Sequence, residues 1–131
     1  MSFIDNYRHF VDDQGKLKGH KYQNEMVETI KFLLKNAIGQ KNGVSTNKII
    51  LHLRSKGYKI SRETWQIEVL GTLRDNGVYI GSLRGNIGMF LIASKNDAVS
   101  TRNAIYERLV VEQKRMDKLE KLMKKEGWDF S

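Results

Sequence analysis

Hydrophobic spacing along this 131-residue chain switches at Val78 from helical to alternating, and that switch constrains the fold more than any other feature. Before it, apolar residues recur every three or four positions; just after it, they alternate. Met26, Ile30, Leu33, Leu34 and Ile38 form one stripe, which predicts a helix capped by Asn24 and stopped by Gly39. A second helix opens at Ser45 or Thr46, turns Ile49, Ile50 and Leu53 inward and ends at Lys56-Gly57. A third is capped by Ser61, has Glu63 in its first turn, shares one face among Trp65, Val69, Leu70 and Leu73, and ends at Asn76-Gly77. Residues 78–82 and 87–93 then read as two strands around Leu83-Arg84-Gly85-Asn86, an antiparallel hairpin with an arginine near its tip.

The chain contains no proline, where average usage of about 5% predicts roughly six or seven. Nothing therefore interrupts a long C-terminal helix. Within it Ala98, Arg102, Ile105, Leu109, Glu112, Met116, Leu119 and Met123 alternate steps of four and three. Six of the eight are apolar, which is the pattern of a heptad seam with two polar interruptions. Ile105, Leu109, Met116, Leu119 and Met123 are its candidate dimer contacts; the other reading is a long helix packed on its own domain. Residues 1–23 are polar with scattered aromatics. They read as an N-terminal arm, or as a small hairpin pairing His9-Phe10-Val11 with His20-Lys21-Tyr22 across the turn Asp13-Gln14-Gly15-Lys16. The expected organisation is thus 1–23, a core domain over 24–94, and a helix over 95–131.

Lys and Arg number 23 against 15 acids, a net charge of +8 with a pI near 9.7. Half of that charge lies in residues 44–60, which hold Lys48, Arg54, Lys56 and Lys59 and no acid. Such a balance on a folded core makes nucleic acid the first partner to consider. The absence of cysteine excludes disulfides, thiolate zinc sites and cysteine nucleophiles. His9, His20 and His52 form no i,i+4 metal pair, His52 reads as structural, and no phosphate loop occurs. Glu112-Gln113-Lys114, with Asp97 upstream, resembles the end of a restriction-type nuclease motif but falls in mid-helix. No enzyme, metal, cofactor or small-molecule ligand is expected. No segment approaches the ~18 apolar residues of a membrane span, and the first residues lack a signal-peptide layout. The expectation is a cytoplasmic protein of a bacterium, or of a phage in a bacterial host, without a membrane partner.

Ser61-Arg62 opening a helix, Thr72-Leu73-Arg74-Asp75-Asn76-Gly77-Val78 closing it, and a glycine-bearing hairpin ending in Phe90-Leu91 resemble the winged helix-turn-helix. The N-terminal domain of biotin repressors and the winged-helix modules of phage and plasmid replication proteins are similar over residues 26–94, about half of the chain. Where wings of that family often read Gly-Tyr, this chain has Gly88-Met89-Phe90. The resemblance implies an α+β, mainly α fold: a three-helix core with a β-hairpin wing, here followed by the long helix. It implies double-stranded DNA as partner. A recognition helix enters the major groove by its N-terminal part, which here offers Arg62, Glu63, Thr64 and Gln66 for base edges. Thr46, Asn47, Lys48, Arg54, Lys56 and Lys59 are the phosphate candidates, and Arg84 of the wing suits a minor groove or a phosphate. The expected function is that of a homodimeric regulator or a replication or recombination accessory factor. The alternatives are a DNA-recognition domain of a larger restriction-type enzyme and a winged helix that binds an acidic protein.

Overall fold

The computed structural model describes residues 3–15, 17–84 and 87–128. Three helices precede the hairpin core: α1 (Phe3–Asp12), α2 (Gln23–Asn36) and α3 (Thr46–Ser55). A fourth, α4, runs unbroken through Arg62–Thr64, a π-helical stretch Trp65–Leu70, and Gly71–Asp75. Strands β1 (Ile80–Leu83) and β2 (Gly88–Leu91) pair antiparallel, Ile80 opposite Leu91 and Leu83 opposite Gly88, and the C-terminal helix spans Lys95–Lys125. The protein is mainly helical with one small hairpin and one long terminal helix.

Residues 1–23 correct the sequence reading. Phe3–Asp12 is a helix, not an arm or half of a hairpin, because Tyr7 and Leu17 are both fully buried in the core. The Tyr7 hydroxyl donates to the Ile92 carbonyl at 2.6 Å, and burial pushes that phenol well above its ordinary pKa. Phe3 meets Tyr79 edge-on, with ring centroids 5.8 Å apart. An amphipathic helix ten residues long is marginal alone, so tertiary burial decides its existence. Lys16 of the expected turn, Gly85 and Asn86 of the wing loop, and the last three residues of the tail lie outside the described residues.

The core is one cluster in which α2, α3 and α4 pack beneath the hairpin. Trp65 is its largest fully buried side chain. Its indole N–H donates to Thr29 Oγ1 at 3.2 Å, and Thr29 in turn donates to the Glu25 carbonyl at 2.8 Å. The π stretch fits the burial pattern: Trp65, Val69, Leu70 and Leu73 are all buried, and the wider turn is closed by the Gly71 N–H bonding to the Gln66 carbonyl. β2 is flanked on its other side by the chain entering α3. Val44 and Met89 exchange backbone hydrogen bonds of 2.7 and 2.8 Å.

The C-terminal helix starts on the hairpin. A Cβ on Gly81 would lie 2.7 Å from Thr101 Oγ1 and 2.6 Å from the Phe90 ring, so only glycine lets the strand and helix approach this closely. Ser94 caps the helix by accepting from the Asp97 N–H at 3.1 Å. Asp97, buried, accepts from the Ala93 and Gln40 N–H groups at 3.0 and 3.2 Å. Desolvation works to raise its pKa, but the hydrogen bonds from Ala93, Gln40 and Ser94 together outweigh it and the net shift is downward. A depressed folded pKa contributes stability above the unfolded value of about 3.9 and loses it as pH falls through the folded value. Asp97→Ala is therefore expected to destabilise the fold by roughly 3 kcal/mol at neutral pH. The gap to the parent should narrow as pH falls below the unfolded value of about 3.9, read by urea denaturation over a pH series.

Candidate nucleic-acid interface

The two helices that carry the predicted contacts are built by repeated local chemistry. Ser45 Oγ accepts from the Lys48 N–H at 3.2 Å and starts α3; Ser61 Oγ accepts from the Thr64 N–H at 3.1 Å and starts α4. Both helices end in the same way. Gly57 and Gly77 hold φ near +92° and +91°, and the residue after each, Tyr58 and Val78, donates back to Leu53 and Leu73. These are Schellman ends, which only a residue tolerant of left-handed backbone closes without strain. The Lys56-Gly57-Tyr58 stop leads through residues 59–61 into the next helix.

On α3 the buried face is Ile49, Ile50 and Leu53, and the opposite face exposes Asn47, Lys48, Leu51 and Arg54. Lys56 and Lys59 are exposed in the turn, while Thr46 is half-buried at the helix start. Among the described residues no acid lies within ion-pair distance of Lys48, Arg54, Lys56, Lys59 or Arg62. Six of the candidates, Asn47, Lys48, Arg54, Lys56, Lys59 and Arg62, are thus brought to the surface of one helix–turn–helix unit. Arg84 is exposed where the hairpin begins its loop.

At the start of α4, Arg62, Glu63 and Gln66 are exposed. Thr64 is half-buried, and its hydroxyl accepts from Ser61 at 2.9 Å, so it already serves the helix cap. Sequence reasoning passed over two exposed apolar residues, Leu51 on α3 and Ile67 on α4, 63% and 64% exposed. A signal for both existed: neither falls at the spacing of its helix's buried stripe. Glu68 and Asp75 are also exposed and bring the acids on α4 to three, so the cationic density comes from α3 and the turn rather than from α4 itself. His52 is half-buried, hydrogen-bonds Glu28 at 2.9 Å and lies against Phe32, which ties α3 to α2.

The candidate dimer contacts lie elsewhere. Ile105, Leu109, Met116 and Leu119 are 45 to 62% exposed, and Met123 is half-buried. The C-terminal helix packs mainly on β1 and runs on beyond it, without covering α3. Arg74 anchors the end of α4 to that strand, donating through Nε to the Ile80 carbonyl at 3.0 Å. Among the described residues no cluster of three metal-ligating side chains occurs, and no helix is long and apolar enough to cross a membrane. Comparison with models of protein families, with curated proteins and with solved structures finds no match.

Proposed function

We propose that this chain binds double-stranded DNA as a winged helix, without enzymatic chemistry, in the cytoplasm of a bacterium or an infected bacterial host. α3 and α4 form the helix-turn-helix and the β1–β2 hairpin forms the wing. The observation that carries this reading is the surface of α3 and its turn: four exposed cations within twelve residues, with no ion pair among the described residues, leading into the N-terminal end of α4. Lys48, Arg54, Lys56 and Lys59 sit over phosphates and set register, with Asn47 and Thr46 beside them. Arg62 and Gln66 read purine edges, Glu63 accepts from a cytosine amino group, and Ile67 suits a thymine methyl. Arg84 follows the backbone or the minor groove. The exposed seam of the C-terminal helix supports a homodimer, which suits a regulator or a replication or recombination accessory factor of a phage, plasmid or other mobile element.

A second reading has its own observation. Leu51 and Ile67 add exposed apolar area to the same two helices, which suits an acidic protein partner. Salt separates the two. Titration of a fluorescent random duplex is expected to give affinity that falls linearly in log–log form with salt, with a slope of about −0.9 per phosphate neutralised. No binding to any duplex at low salt refutes the DNA reading and leaves the protein-binding one.

A further inference from the structure

Beyond the hairpin the C-terminal helix carries its apolar residues into solvent. Ile105, Leu109, Met116 and Leu119 are each about half exposed or more. Beside the N-terminal part of that seam lies an apolar groove of about 450 Å³ between the helix and the base of the hairpin. Phe3, Tyr79, Ile92, Ala98 and Ile105 wall it, with Arg102 at the same place.

The two polar interruptions of the seam, Arg102 and Glu112, decide how a second copy fits. In a parallel pair each seam residue meets its own copy. Arg102 would face Arg102 and Glu112 would face Glu112, two like-charge layers. In an antiparallel pair, residues equally distant from the axis on opposite sides meet instead. An axis at Glu107 sets Arg102 against Glu112, Ile105 against Leu109, and Ala98 against Met116. Moving the axis half a heptad toward the C-terminus sets Arg102 against Leu119 and Glu112 against Leu109; moving it the other way leaves Arg102 against Ile105 and sets Glu112 against Lys95 at the helix start, so only the axis at Glu107 matches both seam charges to each other. Glu112 is at present bonded to Arg115 at 2.6 Å, but that pair is two-thirds exposed, and such surface pairs are weak and exchangeable. Tyr106, 59% exposed with the Arg102 guanidinium 5.9 Å from its ring, flanks the axis.

We propose that the C-terminal helices of two copies pair antiparallel about Glu107, matching Arg102 to Glu112 and laying the partner's Met116 at the mouth of the Phe3–Tyr79 groove. This rests on the homodimer reading above and adds its direction and register. Charge complementarity selects the second copy as occupant, because the opposite charges sit at mirror positions of one helix. Within one helix they are ten residues, about 15 Å, apart and do not meet.

The full chain is tested by sedimentation and by thiol cross-linking, which a cysteine-free protein allows without background. Arg102→Glu and Glu112→Arg singly are each expected to raise the dimer dissociation constant about tenfold or more. Combined, they should restore it to near the parent value, since the swap preserves only an antiparallel match. Ile105→Cys mixed with Leu109→Cys should cross-link under mild oxidation, and neither should cross-link alone, because only facing residues approach within about 7 Å. Ala98→Cys mixed with Met116→Cys serves as a second pair should the first fold poorly. Cross-linking of Ile105→Cys with itself, or no rescue by the double charge swap, overturns the antiparallel register while the dimer stands. A full-length chain that sediments as a monomer overturns the dimer reading together with the register.

Discussion

Replacing Lys48, Arg54 and Lys56 together by glutamate is expected to lower affinity for every duplex about a hundredfold or more and to make the salt slope shallower by about 2.7. The magnitude follows from the type of contact. Each cation displaces condensed counterions whatever the base sequence, so its loss weakens specific and random sites alike. All three residues are exposed on α3 or its turn and sit in no ion pair among the described residues, so the fold should survive the change. Lys56 complements the negative end of the helix dipole at the C-terminus of α3, and reversing it costs a few tenths of a kcal/mol, visible as a small drop in Tm. Arg62→Ala and Gln66→Ala should behave differently: each is expected to cost about 1–3 kcal/mol at its own base pair and to relax preference there, with little effect on random DNA. Fluorescence anisotropy over a salt series, with a selected site and a scrambled one, reads both effects. Uniform losses for Arg62→Ala across sequences would place that guanidinium on a phosphate.

Trp65→Ala is expected to cost about 3–5 kcal/mol, as for other buried aromatics truncated to alanine. Against a total of about 5–15 kcal/mol for a domain, this removes a large share of stability. Tm should fall by roughly 10–20 °C, from the scaling of ΔΔG with the entropy of unfolding. The reason lies in where the residue sits. Trp65 is fully buried at the start of the π stretch, and its indole is oriented by Thr29 of α2, so the substitution empties the join between α2 and α4. Trp65→Phe retains much of the volume and loses one neutral hydrogen bond; it should cost about 1 kcal/mol beyond the change in packing. Thr29 keeps its bond to the Glu25 carbonyl and is not stranded. Thermal unfolding followed by circular dichroism separates the two variants. Similar Tm values for both would show that the cavity collapses and that the core is less tightly filled than its burial implies.

Much of the helical core was legible in local chemistry. Ser45 and Ser61 are side-chain caps, and Lys56-Gly57 and Asn76-Gly77 are helix stops, because these features depend on hydrogen bonds within a few residues of one another. The hairpin followed from alternation over two short runs, although the ladder covers only Ile80–Leu83 and Gly88–Leu91: residues 78–79, 87 and 92–93 lie outside it, with a single Ile92 N–H to Tyr79 carbonyl bond just beyond its end. The helix α2 starts two residues earlier than a cap at Asn24 implies, since Tyr22 precedes it without a side-chain cap and no local signal marks it. The candidate interface was legible in outline, as four cations without an acid. The Thr64 hydroxyl also accepts from Ser61, a contact that residue type alone does not reveal.

The sequence by itself determined the order of elements, the basic stretch of residues 44–60 and the uninterrupted terminal helix, because period, charge and the absence of proline are properties of neighbours along the chain. Tertiary structure alone decided three other matters. α1 exists because Tyr7 reaches carbonyls 72 and 85 residues away, a stabilisation that no local pattern encodes. The π stretch of α4 accompanies the joint burial of Trp65, Val69 and Leu70 against α2 and the hairpin. The terminal helix leaves most of its apolar seam in solvent because the hairpin strands are only four residues long and offer little surface to it. Burial of a side chain depends on what arrives from elsewhere in the fold, whereas a cap, a stop or a period depends only on residues close in sequence.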